Sequence, residues 1–220
     1  MDQFQEMLER YFDSRLQATA GDADAYRAAL EEKANALRMG NMPASGRLQG
    51  LEAQLAQKEK NREKLSRAMD AGQLAYATAY DIINDLVRLN FSMLPGTRMS
   101  RMSHEYALIN GIRMQDVRLQ KELQGFRERL ADLQIQFEQT AEVGPLIRSE
   151  RPTMDMLFAE DEILGKAMYA AERLQAFCDA LRPLLLQLEQ MYRSACEECA
   201  QLAAQRISLI EQARIFSSED

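Results

Sequence analysis

From Met102 to Thr140 one seven-residue register holds almost without a break. Written as a heptad, the a positions are Met102, Ile109, Asp116, Leu123, Leu130 and Phe137, and the d positions are Glu105, Ile112, Leu119, Phe126, Leu133 and Thr140. Apolar side chains spaced three and four residues apart fall on one stripe of a helix, and a stripe this long has to be covered by other helices. The spacing returns on both sides. Leu48, Leu55, Arg62, Met69, Tyr76 and Ile83 form an a set with Leu51, Lys58, Leu65, Gly72, Ala79 and Leu86 at d. Leu174, Leu181, Leu188, Ala195, Leu202 and Leu209 form another, with Phe177, Leu184 and Met191 at d. Polar intrusions at Lys58, Arg62 and Asp116 weaken the seam locally and suit a role in setting register or oligomeric state.

Few residues can interrupt these stripes. The chain of 220 residues holds 10 Gly and 5 Pro, and no Trp. Breaks fall at Gly40–Gly46, at Leu94-Pro95-Gly96-Thr97 and between Val143-Gly144-Pro145 and Thr153, with a weaker one at Gly21-Asp22. Ser45, Thr97 and Thr153 are candidate helix caps. Four helical segments remain, about 2–39, 46–92, 98–141 and 153–217. The expected fold is all-α, an elongated antiparallel helical bundle or coiled-coil hairpin. It divides into an N-terminal segment (1–45, broken near 21), a long hairpin (46–141) folded at Pro95-Gly96, and a C-terminal helix (142–220). Each hairpin arm spans about 65 Å at the α-helical rise. A proline ring inside a helix clashes with the preceding turn, so a kink is expected at Pro183.

Charge and cysteine content narrow the function classes. Lys and Arg number 27 against 34 Asp and Glu, a net charge of −7, which disfavours nucleic acid as a partner over the whole surface. The 3 cysteines are too few for a disulfide framework, and no secretory signal or membrane-length apolar run is visible. A reducing, cytoplasmic setting is the expectation. The first helix is acidic (Asp2, Glu6, Glu9 and Asp13 against Arg10 and Arg15), whereas helices lying on membranes carry Lys and Arg on the polar face.

Motifs for chemistry are sparse. Cys196-Glu197-Glu198-Cys199 puts two thiols on adjacent helical turns, a weak candidate for a metal or redox pair. A zinc site needs two further ligands, and the flanking carboxylates oppose thiolate formation. Cys178 and Cys199 lie three heptads apart on one stripe with Leu185 and Tyr192, the spacing of packing residues. No Glu-x-x-His pair, phosphate loop or nucleophile motif occurs, so no enzyme activity and no cofactor are expected. Lys58 to Arg67 is the most basic stretch and alternates in sign, as exposed helix faces do.

The hairpin tip carries the strongest binding hypothesis. Arg98, Arg101 and His104 recur on one side of a helix start, where positive charge opposes the macrodipole. Free backbone N–H groups there add anion-binding capacity, and acidic residues near Asp81 and Asp85 are the alternative partners. Met93, Met99 and Met102 add adaptable apolar surface. In outline the chain is similar to membrane-remodelling helical proteins of the phage-shock, ESCRT-III and BAR type, without a residue motif of such a family. That likeness implies a membrane-associated, polymerising or curvature-related protein as the second expectation. A helical metal or redox protein using Cys196 and Cys199 is the third. The first expectation is a non-enzymatic scaffold or adaptor that self-associates and presents the tip, residues 93–104, to an unidentified protein.

Overall fold

Helix boundaries follow from capping chemistry. The computed structural model describes residues 3–39, 43–91, 98–141, 143 and 160–214, the side chains of 4, 5, 43, 90, 91, 98–105 and 160–164 excepted. Those residues form five helices and no strand: α1 (Gln3–Thr19), α2 (Ala23–Met39), α3 (Pro43–Phe91), α4 (Arg98–Ala131) and α5 (Glu160–Gln212). Asp22 caps α2, its Oδ1 accepting from the backbone N–H of Asp24 (3.0 Å) and Ala25 (3.1 Å), which satisfies two orphan donors. α3 opens at Pro43, so Ser45 lies inside its first turn and does not cap it; proline suits that turn because its φ is already helical and it has no N–H to lose. α5 stays helical on both sides of Pro183. That residue is exposed, which leaves water free to serve the carbonyl deprived of its partner. Thr97 and Thr153 lie outside the described residues.

α4 ends ten residues before the expected 141, and the reason is local. The N–H of Ile135 donates to the Leu130 carbonyl (2.9 Å) and that of Gln134 to the Ala131 carbonyl (3.0 Å), with Gln134 at φ 60°. This pair of bonds around a left-handed residue is the Schellman terminator, usually built with glycine. Leu133, Phe137 and Thr140 therefore leave the helix. The chain turns back along α4, with Arg127 donating to the Gln139 carbonyl (2.7 Å) and Gln120 to the Ala141 carbonyl (2.7 Å). Phe137 still reaches the core. Its ring meets Phe126 edge-on at 5.8 Å and Phe177 at 6.0 Å, so the strap joins α4 to α5.

The chain divides into two compact units, one made of 63–192 and the other of 1–62 with 193–220. In the 63–192 unit α3 and α4 run antiparallel: Gln115 donates to Asp85 (3.2 Å), Gly72 lies against Phe126, and Lys64 donates to the Asp132 carbonyl (3.3 Å). α5 is antiparallel to α3 on its other flank, with Arg182 donating to the Tyr76 hydroxyl (2.9 Å). The α4 seam is the expected one, since Ile109, Ile112, Leu119, Leu123, Phe126 and Leu130 are all buried. The α3 seam is displaced. Its buried residues from Leu65 onward are Leu65, Ala68, Gly72, Ala75, Thr78, Ala79, Ile82, Ile83, Leu86 and Leu89, which keep the d set and, Ile83 apart, replace the a set by the residues one position before it. Small side chains at 68, 72, 75 and 79 admit neighbours on two sides. A Cβ added at Gly72 would stand 2.6 Å from Leu185 Cδ2 and 2.7 Å from Phe126 Cε2.

In the other unit Phe12, Leu16, Ala29, Leu30, Ala34, Leu37, Leu48 and Ile210 form the core. Polar ties surround it. The Lys33 ammonium, 4% exposed, donates to Asp13 (3.2 Å) and to the Glu211 carbonyl in the last turn of α5 (3.0 Å), a cationic cap at the negative helix end. Arg38 and Arg206 each bind both Glu31 and Glu52, at 2.5–3.0 Å, linking α2, α3 and α5.

Candidate interaction surfaces

The structure places Arg98, Met99, Arg101, Met102 and His104 in the first two turns of α4, but their side chains, and Met93 altogether, lie outside the described residues. Of the acidic residues expected near them, Asp85 accepts from Gln115 (3.2 Å) and pairs with Arg88 (3.4 Å).

The cysteines are distributed along α5. Cys178 and Cys199 are buried and Cys196 is half-buried. Burial, helped by the Asp179 carboxylate, pushes the Cys178 thiol up to about 11, so at neutral pH it is an apolar packing group. Among the described residues no three His, Cys, Asp or Glu side chains stand close enough to hold a metal ion. No described helix is long and apolar enough to cross a membrane.

Two of the polar residues inside the heptads, Lys58 and Asp116, have partners. Lys58 donates to Glu198 across α3 and α5, on the rim of a cleft of about 520 Å³ that Gln54, Gln57, Gln201 and Gln205 line. Asp116 accepts from Gln120 (3.2 Å). These side chains sit at helix flanks where the charged end reaches water and the stem covers apolar surface.

The most chemically distinctive feature is a cleft of about 640 Å³ between α3 and α4, inside the 63–192 unit. Ala71, Leu74 and Gly125 give it apolar walls, and Arg67, Arg118, Lys121 and Arg129 surround them, against Asp70 and Glu122. Four cations less two carboxylates leave a local +2 in a chain of net −7. Arg118 binds Glu122 Oε1 (2.7 Å), and Arg129 donates to the Gly125 carbonyl (2.8 Å). Lys121 has no ion-pair partner among the described residues. The Glu122 side chain is 10% exposed, and its second oxygen, Oε2, is buried with no hydrogen-bond partner. Such an acceptor is costly until a donor reaches it. The arrangement has apolar walls with cations around them, a lining complementary to an anionic group beside an apolar one.

Beside the cleft, the outward face of α4 carries exposed apolar side chains. Met114 is 74% and Val117 70% exposed, with Tyr106 also exposed two turns earlier. On α3 Tyr76 and Tyr80 stack with centroids 6.4 Å apart, and the Arg182 guanidinium lies 6.0 Å from the Tyr76 ring. Sequence reasoning passed over Arg118, Lys121 and Arg129 because they stand apart in the chain. Their spacing of three and eight residues, which keeps them on one face of α4, is the signal the sequence holds. Of the basic stretch from Lys58 to Arg67, Arg67 alone lines the cleft. Compared with known proteins, the chain matches no family model, no curated protein and no solved structure.

Proposed function

We propose that this chain is a non-enzymatic helical scaffold or adaptor that associates with itself and holds a protein partner. The observation that carries the reading is the outward face of α4, where Met114 and Val117 stand 74% and 70% exposed on adjacent turns. Neighbouring large apolar groups left in water at the outermost positions of a helix mark association surfaces. Three unpaired thiols suit a reducing compartment such as the cytoplasm. The tip of the α3–α4 hairpin, residues 93–104, supplies the second contact, to the partner.

Light scattering over a concentration series tests the first half. The wild-type chain should grow in mass with concentration, and Met114→Glu with Val117→Glu should reduce that growth at unchanged helicity. A compact monomer at every concentration would overturn self-association. For the second half, Met99→Asp with Arg101→Glu should remove captured partners from an affinity purification while leaving the far-UV circular dichroism intact.

A further inference from the structure

The basic cleft between α3 and α4 has a matching segment in the sequence itself. Residues 215–220, Ile215-Phe216-Ser217-Ser218-Glu219-Asp220, follow the last described residue, Arg214. They hold two large apolar side chains, then two hydroxyls, then two carboxylates. The cleft presents the complement of both ends: Ala71 and Leu74 for the apolar pair, and Lys121, Arg129 and Arg67 for the acids. Lengths agree as well. Six extended residues span about 20 Å, and α4 from Arg118 to Arg129 rises about 16 Å. The cations are available, because the exposed pair of Arg67 with Glu63 is weakly held and easily redirected.

Resting on the self-association reading above, we infer that the 215–220 segment of one copy docks in the α3–α4 cleft of a second copy. Ile215 and Phe216 pack against Leu74 and Ala71, and Glu219 and Asp220 pair with Lys121 and Arg129. Donor and acceptor surfaces differ, so the contact is head-to-tail. It closes into a ring or extends into a filament according to the rotation it imposes.

The test uses the full chain truncated after Arg214 as receptor and a labelled, C-terminally amidated peptide of residues 213–220 as probe. Anisotropy should report saturable binding that weakens as salt rises, as an interaction between rim charges does. Lys121→Glu with Arg129→Glu in the receptor should weaken it about tenfold or more. Leu74→Asp should do the same from the apolar side. Each variant is accepted only if its thermal melt matches the parent. Light scattering of the untagged truncated chain should show less self-association than the full chain. Absence of peptide binding, or binding indifferent to both variants, overturns the proposal. So does tail-dependent protection of the cleft in a full-length chain that stays monomeric, since the tail would then dock on its own copy. If truncation leaves self-association undiminished, the tail contact is wrong while the broader scaffold reading stands on the α4 face.

Discussion

Gln134 occupies a left-handed conformation, φ 60°, that costs an L-residue about 1–2 kcal/mol and a glycine almost nothing. Glycine also has more freedom to lose on folding, so Gln134→Gly should stabilise the protein by a net of about 0.5–1 kcal/mol. A rise in the urea midpoint at unchanged slope is the expected result; a fall would mean the glutamine side chain holds the strap. Gly72 makes the opposite case. Its missing Cβ is space already filled by Leu185 and by Phe126, itself packed against Phe137. Gly72→Leu should cost about 2 kcal/mol or more through overpacking. Gly72→Ala should cost less, because alanine regains about 1 kcal/mol of helix propensity. The residues that mislead a sequence reading share a cause with these two. Gln134 offers no glycine to announce a helix end, and Ala68 and Ala75 are buried without being hydrophobic enough to mark a seam.

Between helices, legibility depended on side-chain size. The α4 stripe is read directly because Ile, Leu and Phe fill it, whereas α3 uses alanines and one glycine to admit two neighbours, and its true seam, Ile83 apart, lies one residue before the inferred a set. On α5 the a positions are buried from Leu174 to Ala195 and only half-buried at Leu202 and Leu209, while Met191 at d is exposed and Cys178 and Cys199 at e are buried. A helix of 3.6 residues per turn drifts against a 3.5-residue repeat in this way. Phe137 was given the right destination and the wrong element. The α3–α4 cleft was illegible because its cations come from two helices and acquire meaning from pairing, which a single sequence does not display. Between α2, α3 and α5 the ties are ionic. Hydrogen bonds from Arg206 and Arg38 hold the Glu31 carboxyl below its ordinary 4.5, and Arg38 does the same for Glu52 against the opposing effect of burial. A depressed folded-state value means stability that is present above the unfolded value and lost as pH falls through the folded one. The 1–62 and 193–220 unit should therefore weaken as pH drops below about 4.5, the ordinary carboxyl value for both groups. Glu31→Gln with Glu52→Gln should flatten that acid limb in urea midpoints measured from pH 7 to pH 3.

At the scale of the whole chain, the division into units falls inside helices, between Arg62 and Glu63 in α3 and between Tyr192 and Arg193 in α5. The unit of 63–192 is therefore a single stretch of chain, and its partner is assembled from both termini. That asymmetry makes a definite prediction. A fragment of 63–192 carries its own core, with Leu65, Ile82, Leu86, Ile112, Leu123, Phe126, Leu174, Phe177 and Leu181 all buried and contributed by α3, α4 and α5 of the same unit. At about 130 residues it is large enough to bury close to two thirds of the surface its unfolded chain would expose. It also keeps the strap from 135 to 143 and the Gly72 crossing. The fragment should fold alone, giving helical circular dichroism, a single cooperative thermal transition and protected amides along Leu119–Leu130. A fragment of 1–62 expressed alone should not, because Leu48 and the α2 residues Leu30 and Leu37 lose Ile210, and Lys33 loses the Glu211 carbonyl it donates to. A buried ammonium left with Asp13 alone beside an opened core is destabilising beyond what two short helices and a stub of α3 can offset. A broad, non-cooperative melt for 63–192 would mean that α3 and α5 gain their order only when both units are present.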